Sequence, residues 1–139
     1  MSEKRLLQAA VAFACLVPIF GGGLGVWHGA AMVGIALAVP AADAHFRYLS
    51  GLLLAIGFGF LSTVPRIEAR GARFRLLAAI VVIGGFGRLL SLALSGALDA
   101  VTLFALAMEL AVTPALAFWQ WRVALASRTR TPHPTRPTS

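Results

Sequence analysis

Of 139 residues, 59% are hydrophobic and only 12% are charged, against roughly 45–50% and about 25% in soluble domains. A single cysteine, Cys15, excludes an intrachain disulfide scaffold, and the apolar content excludes disorder outside the tail. The formal charge of +7 then belongs to a small integral membrane protein and not to a nucleic-acid binder, because basic loop residues set membrane orientation.

A membrane-crossing helix needs roughly 20 apolar residues. The first such stretch covers 6–26 and follows Lys4 and Arg5. Ala12-Phe13-Ala14-Cys15 resembles a lipoprotein cleavage site, but hydrophobicity continues well past it, so an uncleaved helix is expected. Cys15 is then a small buried hydrophobe. Residues 29–42 are apolar but short and end near Pro40; they are assigned to the outer surface. A second span is expected over 45–64, a third over 74–95 and a fourth over 100–121. The remainder, 123–139, carries arginines and three prolines and reads as a disordered basic tail facing the cytoplasm.

Orientation follows from the bases. Lys4 and Arg5, the Arg66–Arg75 cluster and the tail from Arg122 hold most of them. Basic residues collect on the cytoplasmic side. Four spans place all three groups there, with both termini inside. The expected fold is an all-α four-helix membrane bundle.

Ionisable residues at membrane depth cost about 2.5–3.5 kcal/mol on insertion scales and usually have a partner. Arg88 lies eight residues before Gly96, and Glu109 lies ten after Asp99, which is ~12 Å and ~15 Å of helix from the outer surface. Helices 3 and 4 share a short connection, so they should be antiparallel neighbours. An Arg88–Glu109 ion pair is therefore expected. The stripes Gly84/Arg88/Ser91/Ser95, Thr102/Ala105/Glu109/Thr113, Arg47/Gly51/Ala55/Gly59 and Gly21/Gly25/His28/Gly29 read as inward faces, because small residues let membrane helices approach closely. Pro114 should bend the last helix just after Glu109, and Pro18 the first near Ala14.

Two readings apply to this polar set. Arg88 and Glu109, with Arg47 and Asp43 nearer the surface, lock helices in register; alternatively, with Ser91 and His28, they line an outward pocket for a polar or anionic head group. The first is preferred, since a paired buried charge can serve specificity alone. Gly21-Gly22-Gly23-Leu24-Gly25 lacks the lysine and strand of a phosphate loop. No serine occupies a nucleophile elbow, and His28, His45 and His133 have no metal-ligand spacing. No catalytic residue, metal or cofactor is assigned.

Several motifs then resemble one family. Asp43-Ala44-His45-Phe46-Arg47-Tyr48-Leu49-Ser50-Gly51 resembles D-x-x-F-R-F/Y-x-x-G at the start of a second helix, followed by Val64-Pro65-Arg66-Ile67-Glu68. Gly84-Gly85-Phe86-Gly87-Arg88-Leu89-Leu90-Ser91 with Gly96, then Glu109-Leu110, Pro114 and Trp119-Gln120, are similar to its third and last helices. Together they resemble the bacterial membrane family of domain of unknown function 4345. The chain departs from it at Ala97-Leu98, where many relatives have a proline. The resemblance implies a four-helix inner-membrane protein and no activity; small proteins around the DoxX family are a more distant likeness.

The functional expectation is a non-enzymatic accessory or interaction component of the bacterial inner membrane. Its partners are membrane lipid and a membrane protein or a second copy of the chain. The alternative is binding or transport of a lipid-like or quinone-like molecule by Arg88, Glu109 and Arg47.

Overall fold

The computed structural model describes residues 2–34, 40–96 and 98–129. Among the described residues there are five α-helices: α1 (Glu3–His28), α2 (Pro40–Leu61), α3 (Gly71–Ser95), α4 (Ala100–Ala107) and α5 (Thr113–Arg128). A 3-10 turn (Gly29–Val33) follows α1, another (Val64–Arg66) follows α2, and a π-turn (Met108–Val112) joins α4 to α5. There is no strand among the described residues. Counting α4–α5 as one rod, four helices among the described residues are long and apolar enough to cross a membrane. Phe13, Ile83, Leu94 and Val101 are each 69–81% exposed. Such a surface suits hydrocarbon as its solvent, where a helix satisfies its own backbone groups.

The helices outrun the apolar windows at most ends, although α2 stops at Leu61, short of the expected 64. α1 starts at Glu3, whose acid favours a helix amino end. α2 starts at Pro40, which opens the helix and does not close the preceding segment: the missing N–H costs nothing in the first turn. Residues 40–42 thus belong to α2 and not to an outer-surface segment, and 35–39 lie outside the described residues. α3 starts at Gly71, and α5 continues to Arg128, so 123–128 are helix and not tail. Val123 and Ala124 are buried there, which gives the extra turns a packing reason. The tail beyond Thr129 lies outside the described residues. Hydropathy marks where oil begins, whereas helix ends are set by hydrogen bonding and caps.

Two compact units divide the chain: Gln8–Pro65, and Met1–Leu7 with Arg66–Ser139. In the first, α1 and α2 run antiparallel at close range. A Cβ on Gly22 would stand 2.6 Å from Leu54 N and 2.8 Å from Ser50 O, and one on Gly57 2.8 Å from the Ile19 side chain. Gly25 faces Ser50 and Phe46. The face of α1 is therefore Gly22/Gly25/Gly29 against Ser50/Leu54/Gly57; Gly21 has nothing within 4 Å, and His28 is exposed. The expected α2 stripe through Gly51, Ala55 and Gly59 is displaced to Ser50 and Gly57, the two buried positions of that helix. At the far end, Gln8 Nε2 donates to Val64 O at 2.6 Å. Pro18 sits inside unbroken α1, its ring against the Gly57 site.

In the second unit, α3 lies antiparallel to α4–α5. Gly85 is the close-approach site: its Cβ would meet Leu110 Cδ2 at 2.7 Å and Glu109 Cβ at 2.9 Å. Gly84 has nothing within 4 Å, so the expected stripe is one residue out. α3 ends on Gly96, left-handed at φ 65°, with its N–H on Leu92 O; this glycine is the helix stop. Asp99 caps α4, accepting from Val101 N and Thr102 N at 2.9 Å and from Thr102 Oγ1 at 2.6 Å. Where a bend was expected, the structure has the π-turn. Pro114 has no N–H to donate, and Thr113 donates to Met108 O through its N–H and its hydroxyl, at 2.8 Å. The wider turn absorbs the lost bond.

Candidate functional site

The polar residues fall into three groups, each internal to one unit. The first is the junction of α1 with α2. Helix carboxyl ends leave carbonyls without intrahelical donors and carry partial negative charge. Arg47 Nη1 donates to Val26 O at 2.6 Å and Trp27 O at 2.9 Å. Its Nε donates to Asp43 Oδ2 at 2.8 Å, and Asp43 Oδ1 accepts the Ala30 N–H at 2.8 Å. Gly29, at φ 65°, lies beneath; a Cβ there would collide with Asp43 and with Arg47 Nη2 and Cζ. Arg47 and Asp43 together cap α1. The D-x-x-F-R segment thus reads physically: Asp43 and Arg47 clamp the helix end, and Phe46 packs at Gly25. His28 and His45 are exposed and join no cluster; among the described residues, no three His, Cys, Asp or Glu side chains could hold a metal ion.

The second group is the mid-span pair. Arg88 Nε reaches Glu109 Oε2 and Arg88 Nη2 reaches Glu109 Oε1, both at 3.1 Å. The contact is a fork-on-carboxylate pair, whose two bonds add geometric definition. Glu109 lies within the π-turn, and Gly85 on α3 gives its Cβ room. Ser91, one turn further along α3, makes no part of the pair; with Gly87, Leu90, Leu94 and Ser95 it lines an open groove of about 420 Å³. The structure therefore brings Arg88 to Glu109 and Asp43 to Arg47, and leaves Ser91 and His28 outside both contacts.

The third group was not singled out by sequence reasoning. At the end of the α3–α5 pair opposite Gly96, Lys4 Nζ donates to Glu68 Oε1 at 2.9 Å, and Trp119 Nε1 to Glu3 Oε1 at 3.3 Å. Gln120, fully buried, donates from Nε2 to Ile67 O at 2.8 Å. Burial raises the Glu68 carboxyl while its bonds and charge contacts with Lys4 pull it down, and the balance lies below the ordinary carboxylate value. Glu68 Oε2 and Gln120 Oε1 are buried without a hydrogen-bond partner. A lone glutamine in an apolar helix is the signal that sequence reasoning passed over, since a polar side chain in an apolar helix needs a protein partner.

No curated protein and no solved structure matches the chain. A family model described as "Domain of unknown function (DUF4345)" matches residues 6–120, which takes in every contact above except those of Glu3 and Lys4. The matched range includes the residues that meet in space: Asp43 and Arg47 at the end of α1, and Gly85 and Arg88 on Glu109-Leu110. The chain belongs to the DUF4345 family.

Proposed function

We propose that this is a non-enzymatic accessory or interaction protein of the bacterial inner membrane: a four-helix bundle with both termini cytoplasmic, acting through helix packing against a membrane protein or a second copy of itself. The observation that carries this reading is the forked Arg88–Glu109 pair. Each partner answers the other's charge within the chain, with Arg88 41% and Glu109 17% exposed, and an ion pair of this kind can serve to set register. Asp43 and Arg47 are likewise engaged, at the end of α1. The basic residues near Lys4, Arg66–Arg75 and Arg122 support the orientation, by the positive-inside rule.

The test is to replace Glu109 with Gln and measure both unfolding and partner capture after mild extraction. Loss of stability with a retained partner supports the structural role of the pair; a fully stable variant sinks it. Reporter fusions at Gly71 and the two termini check orientation, and an external Gly71 overturns it.

A second reading is favoured by one observation. Ser91 lines the open α3 groove one turn from Arg88, and the alternative is that this face takes a lipid-like or quinone-like molecule. Under it, Ser91→Leu removes a co-purifying small molecule seen by native mass spectrometry and leaves folding intact.

A further inference from the structure

Charge is distributed unevenly along the α3–α5 unit. At one end, residues 2–7, 66–75 and 119–125 carry seven bases against two acids, Glu3 and Glu68. Toward the other end, the described residues between Leu89 and Ala107 carry Asp99 alone. The basic end is built from three separate stretches of chain, and contacts hold them together: Lys4 on Glu68, Trp119 on Glu3, and Gln120 on the Ile67 carbonyl. With Lys4 matched to Glu68, six arginines stand against one remaining acid. Three of them, Arg5, Arg75 and Arg122, are exposed and make no side-chain hydrogen bond or ion pair among the described residues. Each has a large exposed apolar neighbour one position away: Leu6, Leu76 and Trp121. Charge and apolar surface therefore meet at this end on all three helices. A soluble anion or an acidic peptide satisfies the charge only, whereas a lipid with an anionic head group satisfies both.

We propose that this end of the α3–α5 unit is a binding surface for anionic phospholipid, with head-group phosphates against Arg5, Arg75 and Arg122 and acyl chains along Leu6, Leu76 and Trp121. Each base near a membrane surface strengthens attraction to anionic lipid about fivefold. Phosphatidylcholine carries the same phosphate but offsets it with a cation of its own, so it is the weaker ligand. Tryptophan suits the interfacial level, where head group and chain join. Orientation by the positive-inside rule needs only that these bases stay on one side; selection among lipids is the additional claim. The inference rests on the membrane reading above and not on the accessory role, the orientation or the Arg88–Glu109 pair.

The experiment uses the full chain, delipidated in a neutral detergent and titrated with phosphatidylglycerol and phosphatidylcholine of identical chains, read by native mass spectrometry. A micelle has no inside, so a preference seen there reports binding and not orientation. Phosphatidylglycerol should be retained at least about tenfold more strongly, and the preference should shrink as salt is raised. Arg5→Gln, Arg75→Gln and Arg122→Gln should each lower it about fivefold. The triple variant should abolish it with thermal unfolding unchanged, because all three side chains are exposed. Lysine at the same three positions should retain it, since charge is what the surface requires. Equal retention of the two lipids, or a triple glutamine variant that still prefers phosphatidylglycerol, overturns the proposal and leaves the membrane reading in place. Displacement at matched concentration by glycerophosphoglycerol, the head group without chains, overturns the assignment to lipid. Retention of neither lipid overturns the proposal together with the membrane reading.

Discussion

The α1–α2 unit and the α3–α5 unit solve the same problem by different means. Both press two apolar helices together with few polar groups. In the first, backbone meets backbone: Gly22 lies under Leu54 N and Ser50 O, and the charged residues sit at the end, where Asp43 and Arg47 cap α1. In the second, one glycine, Gly85, makes room for a side chain, and the charges sit at mid-span as Arg88–Glu109. Where glycines make the contact, charge is left for helix ends; where an ion pair makes it, the acid sits in a π-turn, Met108–Val112, opposite the glycine that gives it room.

Substitutions can break this contrast. Under the membrane reading, the largest effect should come from Glu109→Gln, which leaves the Arg88 charge unanswered in oil and should cost about 3 kcal/mol, measured by unfolding in mixed micelles. The double change Arg88→Leu with Glu109→Leu should recover most of that loss, since an apolar pair needs no desolvation. A double variant as unstable as the single one would mean that the pair is not the source of the loss. Next is Gly22→Ala, at about 2 kcal/mol, because the new methyl meets backbone atoms that cannot swing away; Gly21→Ala, in open space, should be neutral or slightly stabilising. Equal costs for the two would refute the assigned face of α1.

Arg47→Met should cost about 1–2 kcal/mol by uncapping Val26 and Trp27 carbonyls, and hydrogen exchange should quicken in the last turn of α1 but not in α3. The smallest effect is Asp99→Asn, a Tm decrease of a few degrees. The Thr102 hydroxyl, with the Thr102 and Val101 N–H groups, holds the Asp99 carboxyl below its ordinary value. Its contribution is therefore full above that ordinary value and disappears as pH falls through the lowered one. The parent and Asp99→Asn should accordingly differ near neutral pH and converge in acid.

Much of the site was legible because depth along a rod is simple arithmetic. Arg88 and Glu109 were matched from their distances to Gly96 and Asp99, and the structure brings them within 3.1 Å. Facing was less legible. Gly84 and Gly85, or Gly21 and Gly22, differ by one position and about 100° of helix, and an all-round apolar sequence has no polar side to fix which points inward. Arg47 was expected to help lock the helices in register or, alternatively, to line a pocket; its place at the end of α1 was not legible, because the orphan carbonyls it answers exist only once α1 ends and α2 returns past it.

By itself, then, the amino-acid sequence determined the number of long apolar helices and the levels of their charges, since both depend only on length, composition and rise per residue. Tertiary structure decided which glycines touch, that Arg47 closes a helix end, that Pro114 is absorbed by a π-turn, and that Gln120 and Glu68 keep unanswered acceptors. Those outcomes depend on which atoms of a neighbouring helix stand within 3 Å or so, and a one-dimensional pattern holds no such distances.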